Sequence, residues 1–130
     1  MQRTLETNYW GLKNVVNAFI PKLSENARIV NMSSNFSMLK MIPGREIRSI
    51  LGFFLIIINV FNLKYFSTGK SDLSEKDLDE LMMEYQRRST EFNDDFAELG
   101  WPRCAYTVSK VAVNAYTRIL QRFFEQNGMF

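Results

Sequence analysis

Ala27-Arg28-Ile29-Val30-Asn31-Met32-Ser33-Ser34 is the stretch whose reading decides the fold. Its apolar residues sit close together, β-branched residues are at its centre, and the turn-forming triplet Ser24-Glu25-Asn26 precedes it, so Ala27 to Met32 reads as a short strand. The end of that strand delivers Ser33 and Ser34. Upstream, Leu5, Tyr9, Leu12, Val16, Phe19 and Leu23 recur at helical spacing and predict an amphipathic helix from Thr4 to about Leu23, with Pro21 kinking its end. A helix feeding a buried strand is half of an α/β repeat.

Downstream of Ser34 the pattern is irregular to about Arg48, with a turn at Pro43-Gly44, and then nearly all apolar from Ile50 to Phe61. Ser71 or Ser74 can cap the next helix. Ser74 has Asp77 three residues on, and Leu78, Leu81, Met82 and Tyr85 supply an apolar face. Acidic residues crowd its start and Arg87-Arg88 its end, as the helix dipole favours. A polar loop from Ser89 to Gly100 leads to Trp101-Pro102. A last helix, about Ala105 to Gln126, carries Val108, Val111, Ala112, Ala115, Ile119 and Phe123 on one face.

At 130 residues and 46% hydrophobic content the chain is one domain at most. Sixteen basic and fourteen acidic residues, both signs scattered, give a net charge of +2 and no electrostatic footprint for nucleic acid. Histidine is absent and Cys104 is the single cysteine. That excludes Ser-His-Asp triads, Cys-His dyads, HExxH zinc sites and CxxC pairs, so no metal site is expected. With no base to activate it, Cys104 is expected to be a packed small residue. The six glycines are isolated from one another, so neither GxGxxG nor a P-loop forms. A lone cysteine and the absence of a signal-like start point to the cytoplasm.

Hydroxyls, an amine and carboxylates remain as the chemical vocabulary. Tyr106-Thr107-Val108-Ser109-Lys110 places a phenol and an amine four residues apart on one helix face, where the ammonium favours the phenolate. That corrects a reference pKa of about 10, too high for proton exchange at neutral pH. Ser34 at a strand end and Tyr106 at a helix start can both face the crevice beyond the strand's carboxyl end, where open α/β sheets bind ligands. Two hydroxyls then share one substrate oxygen, with Ser34 polarising a carbonyl and Tyr106 giving or taking its proton. Taken singly, each has a plain structural role: Ser34 as a turn or cap serine, Tyr106 as a half-buried aromatic, Lys110 as a solvated helix lysine.

Asn8 in a helix, Asn31-Met32-Ser33-Ser34 closing a strand, and Tyr106-Thr107-Val108-Ser109-Lys110 together resemble the short-chain dehydrogenases/reductases, whose active site is an Asn-Ser-Tyr-Lys tetrad. Gly100-Trp101-Pro102 before the tyrosine and a leucine-rich acidic helix between serine and tyrosine are similar to the monomeric carbonyl reductase branch. The resemblance implies an α/β fold, a partial Rossmann-type doubly wound parallel sheet in a helix-rich fragment, with residues 1–130 as its central and catalytic part. It implies NADPH as cofactor and a small carbonyl compound as substrate: a ketone, aldehyde or quinone. Tyr106 would donate the proton, Ser34 bind the substrate oxygen, Lys110 contact the cofactor ribose beside Tyr106, and Asn8 sustain a water-linked proton path to Lys110. A related enzyme oxidising steroid or prostanoid alcohols shares the tetrad and is the alternative. The family's Gly-rich pyrophosphate turn and its later substrate loop have no counterpart in these residues, so the chain alone is expected to bind no NADPH and to be inactive. The inserted helix resembles the feature that keeps family members monomeric.

The apolar run fits the family least. Arg48 and Lys64 bracket 15 uncharged positions, short of the ~20 that a membrane span needs, so no membrane partner is expected, and a membrane-attached, non-catalytic fragment is the alternative of a different class. Removing about Ser49 to Gly69 would join Arg48 to Lys70-Ser71 and restore the carbonyl reductase spacing. Residues 49–69 therefore read as an atypical insert, of the composition that translated intron sequence gives.

Overall fold

The computed structural model describes residues 2–52, 73–91 and 100–129. Most of the expected insert, the predicted polar loop and the cap candidate Ser71 lie outside these. The first helix runs from α1 (Gln2–Leu5) through a π-helical turn (Glu6–Trp10) into α2 (Gly11–Phe19), ending in a 3-10 turn at Ile20–Lys22 that carries Pro21. In the π turn the Gly11 N–H reaches back five residues to the Glu6 carbonyl. This wider turn rotates every later residue about the helix axis. A uniform 3.6-residue period puts Leu5, Tyr9, Leu12, Val16, Phe19 and Leu23 on the core face; Leu5, Tyr9 and Val16 are buried and Leu12 packs beside them with Ile20, but Lys13 joins the buried stripe, and Phe19 and Leu23 are 60% and 37% exposed.

The Ser24–Ala27 turn forms as expected, with the Ala27 N–H on the Ser24 carbonyl and Asn26 in the left-handed region at φ 65°. The strand predicted at Ala27–Met32 does not: no residue described is in a strand. Even so, burial alternates through it. Ala27, Ile29, Asn31 and Ser33 are part-buried, while Arg28, Val30 and Met32 face outward, Val30 at 85% exposure. A strand is completed by a ladder of backbone bonds to a neighbour. The sequence pattern sets the alternation without supplying the neighbour. Short 3-10 turns at Asn35–Ser37 and Leu39–Met41 follow, and α3 (Arg45–Gly52) is helical where an irregular chain was expected. The first residues of the apolar run are thus the end of a helix, and Leu51 is fully buried.

Helix α4 (Glu75–Glu91) begins on a complete capping box. Ser74 Oγ accepts the Asp77 N–H at 3.1 Å, and Asp77 Oδ2 accepts the Ser74 N–H at 3.0 Å. The Ser74 hydroxyl, donating to Asp77 Oδ2 at 2.6 Å, and the Ser74 N–H together hold the Asp77 carboxyl below its usual range. Leu78, Met82 and Tyr85 are buried as predicted, against α5 (Ala105–Gln126), whose limits match the sequence reading. Twelve of the 22 residues of α5 are buried, including Val108, Val111, Ala112 and Ala115. It is the central helix of the molecule. Near its end Phe124 enters the core and the predicted Phe123 is 45% exposed.

A buried cation ties α4 down. Lys13, 6% exposed, places its ammonium 2.6 Å from both Asp79 carboxylate oxygens and 2.8 Å from Glu75. The Tyr9, Trp10 and Tyr116 rings surround it with centroids 5.5–5.6 Å away, and the Tyr9 hydroxyl donates to Asp79 at 2.7 Å. The other end of the excursion between Ser34 and Tyr106 closes on two glycines. The Gly44 N–H donates to the Gly100 carbonyl at 2.8 Å, and a Cβ on Gly44 would lie 2.6 Å from Gly100 Cα. This close approach admits no side chain. Trp101 then plugs inward against Tyr85, ring centroids 5.0 Å apart.

Candidate active site

Tyr106 and Lys110 lie in the first two turns of α5, where the i,i+4 spacing sets them on one face. Tyr106 is 41% exposed, and the Lys110 ammonium is 5.7 Å from its ring centroid. That ammonium also donates to the Met32 carbonyl at 3.0 Å, two residues before Ser34. The Ser33 hydroxyl returns the contact, donating to the Lys110 carbonyl at 3.2 Å. On the other side of Ser34, the Phe36 ring meets the Tyr106 ring edge-on at 6.4 Å. The segment predicted as a strand end and the helix carrying Tyr106 are therefore held together on both flanks of Ser34.

Ser34 has extended backbone, φ −154° and ψ 158°, and caps the 3-10 turn that follows it. Its Oγ accepts the Phe36 N–H at 3.2 Å, a bond in which the hydroxyl proton is not used. Asn8 sits in the π turn, a distortion frequent at functional sites. Its side-chain nitrogen donates at 3.1 Å to the hydroxyl of Ser109, the fully buried neighbour of Lys110, and Ser109 donates in turn to the Tyr106 carbonyl at 2.8 Å. Asn8 thus braces the back of the helix turn that carries Tyr106 and Lys110.

Cys104 is exposed, against the expectation of a packed residue. It stands at the N-terminus of α5, where the Thr107 amide and hydroxyl favour its thiolate and lower its pKa. No group of three or more carboxylates or thiols able to hold a metal occurs among the described residues. None of Ser34, Tyr106 and Lys110 lines the cavity of about 390 Å³ between Ile20, Leu73, Glu75, Ile119 and Phe123.

The sequence assigns no role to Ser37, Asn114 or Thr117, and Asn31 and Ser109 enter it only as parts of the two motifs. The Asn31 amide donates to Thr117 Oγ1 at 2.9 Å and the Asn114 amide to Ser37 Oγ at 2.8 Å. A signal was there: positions 110, 114 and 117 are polar, and they follow one helix face at i, i+4 and i+7 on a helix otherwise rich in apolar residues.

No family model matches the chain, and no solved structure does. Curated proteins match it along nearly its whole length. It is 38% identical over 125 residues to short-chain dehydrogenase/reductase 1 of Saponaria officinalis, covering 93% of this chain and 35% of that protein. Salutaridine reductase of Papaver somniferum is 33% identical over 124 residues, 92% of this chain and 34% of its own length. Carbonyl reductase [NADPH] 3 of Mus musculus is 28% identical over 132 residues, with shares of 95% and 38%. The chain spans about a third of the length of the curated relatives it matches. On these alignments the chain belongs to the short-chain dehydrogenase/reductase family.

Proposed function

We propose that the chain carries the proton-donating site of an NADPH-dependent carbonyl reductase, which takes a ketone, aldehyde or quinone to the alcohol. One observation carries this reading: Lys110 lies over the Tyr106 ring while bonding to the strand-end carbonyl beside Ser34, so amine, phenol and hydroxyl share one neighbourhood. In the reaction the Ser34 O–H donates a hydrogen bond to the substrate carbonyl oxygen, and the Tyr106 hydroxyl gives that oxygen its proton. The Lys110 charge stabilises the phenolate left behind. Asn8 holds the turn of α5 that carries both. NADPH, when bound, supplies the hydride.

The residues present fit one end of that cofactor. Tyr106 and Lys110 offer O–H and N–H donors suited to the nicotinamide ribose. The isolated glycines offer no phosphate-binding turn. The 130 residues by themselves are therefore expected neither to bind NADPH nor to turn over substrate. In this reading Ala27–Met32 is one strand of a Rossmann-type doubly wound parallel sheet, which explains an alternating segment with an outward apolar face at Val30 and Met32. The α4 helix lies over α2 and α5 through the Lys13 cluster, in keeping with a monomer.

The test is a chimera in which residues 1–130 replace the matching third of the Saponaria relative, assayed by NADPH oxidation with a ketone or quinone. Tyr106→Phe should lower kcat by at least ~10²-fold, the usual contribution of a positioned proton donor. Full turnover by that variant would refute the assignment. For the 130-residue chain alone, a rise in its melting temperature with NADPH would contradict the partial cofactor site.

A further inference from the structure

The geometry points to Asn114 and Ser37 as positioning residues for Ser34, acting as a two-link clamp from the central helix; this rests on the reading of Ser34 as the carbonyl-binding hydroxyl. Asn114 is one turn beyond Lys110 on α5, and its side-chain nitrogen donates to Ser37 Oγ at 2.8 Å. Ser37, 7% exposed, donates its own hydroxyl proton to the Ser34 carbonyl in a short hydrogen bond. The Ser37 backbone N–H donates to the same carbonyl at 2.9 Å.

The direction of these bonds matters. A serine hydroxyl has one proton, and an amide nitrogen seated on its oxygen leaves that proton to point elsewhere. Here it points at the Ser34 carbonyl, which thus receives two donors from one residue. At the other end of Ser34, the Phe36 N–H occupies the side-chain oxygen at 3.2 Å. The peptide plane of Ser34 and its side-chain rotation are both fixed, and the remaining Ser34 proton is free to be given to a substrate oxygen.

The segment needs such a device. Residues 27–34 have no backbone ladder among the described residues, so the position of Ser34 depends on side-chain bonds to α5. Lys110 holds the Met32 carbonyl and Thr117 the Asn31 amide, both ahead of Ser34. Asn114 acts behind it. Without that link the 3-10 turn at Asn35–Ser37 would keep only its local bonds, and the distance from Ser34 Oγ to the Tyr106 hydroxyl would vary. Small displacements of a hydrogen-bond donor from its productive position cost rate far more than binding.

Two arms test the clamp. In the 130-residue chain, amide hydrogen exchange at Phe36 and Ser37 should quicken by about fivefold or more in Asn114→Ala, the loss of a net hydrogen bond. It should quicken likewise in Asn114→Asp, a near-isosteric change that keeps the packing but draws the Ser37 proton away from Ser34. Ser37→Thr, which retains the hydroxyl, should leave it unchanged, and α4 amides such as Met82 serve as the reference. Exchange unchanged in Asn114→Asp, or quickened equally in α4, overturns the clamp. In the chimera, Asn114→Asp should lower kcat about tenfold with the KM for NADPH unchanged, and should cost nothing further once Ser34 is already alanine. An equal loss in the Ser34→Ala background means that Asn114 acts elsewhere and refutes the positioning role. A chimera inactive with all native residues counts against the proposed function, while the exchange arm still decides the clamp.

Discussion

Replacing Asp79 by alanine should destabilise the protein more than replacing Lys13 by methionine, although the two residues form one ion pair. Lys13 is enclosed: its side chain is 8% exposed, whereas those of Asp79 and Glu75 are 24% and 43% exposed. Removing one member of a buried pair costs roughly 3–5 kcal/mol, because the other charge stays without compensation. Lys13→Met leaves two carboxylates that water can reach, which brings the cost down to about 2 kcal/mol. Asp79→Ala leaves the ammonium among the Tyr9, Trp10 and Tyr116 rings with Glu75 as its remaining carboxylate, and takes the acceptor from the Tyr9 hydroxyl. The sum is about 3–4 kcal/mol. The double variant leaves neither charge, so it should cost well under the sum of the singles, a coupling of about 2 kcal/mol. Urea denaturation followed by the fluorescence of Trp10 and Trp101, which lie near the cluster and behind α4, measures all three. Additive singles, or an Asp79→Ala cost below that of Lys13→Met, would refute the view that burial of the cation governs this contact.

Packing leads to two more expected outcomes. Burial raises the pKa of Tyr85 to about 12, and burial, with the Asp79 carboxylate beside Tyr9 and those of Glu75 and Asp79 near Tyr116, raises those of Tyr9 and Tyr116 as well. The folded state then keeps protons that the unfolded chain loses above its ordinary tyrosine pKa near 10, so stability is intact below pH ~10 and falls as pH rises beyond it. For Tyr85 the slope is about 1.4 kcal/mol per pH unit up to its folded pKa, and a urea midpoint that holds steady between pH 10 and 11 would contradict it. Gly44→Ala drives a Cβ to within 2.7 Å of the Gly100 carbonyl oxygen and breaks the 2.8 Å bond it accepts. A cost of about 2–3 kcal/mol at unchanged m value is expected, and one under ~0.5 kcal/mol would mean that the two loops separate freely.

The helices were legible because their signals are local. Ser74 and Asp77 announce α4 by their spacing alone, and the apolar positions of α5 recur with the period of an unbroken helix. The first helix was legible in kind and in most of its face, where Leu5, Tyr9, Leu12 and Val16 reach the core, but nothing in the residues Glu6–Trp10 marks a π turn, and the burial of Lys13 and the exposure of Phe19 went unread. The strand failed for the opposite reason. Its alternation is local and present, but its completion is a bond to another part of a sheet, and no periodicity within eight residues encodes that partner.

The site divides along the same line. Tyr106 and Lys110 were found because their chemistry depends on spacing within one helix. Ser34 needed a guess about what lies across space, and the residues that fix it there, Ser37 and Asn114, are 77 positions apart. Each alone is an ordinary polar residue, and only folding makes them a pair. The polar positions on α5 are the exception that could have been used: Lys110, Asn114 and Thr117 share a face, and a helix that buries 12 of its 22 residues keeps polar groups on an inward face where they have partners. Partners for that face had to be hydroxyls, amides or backbone carbonyls from a segment without regular hydrogen bonding. In this sequence the Asn31-Met32-Ser33-Ser34 stretch and the turn after it are rich in such groups. A polar stripe on an otherwise apolar helix therefore predicts where an irregular, catalytic segment docks, by the same reasoning that makes an apolar stripe predict a core.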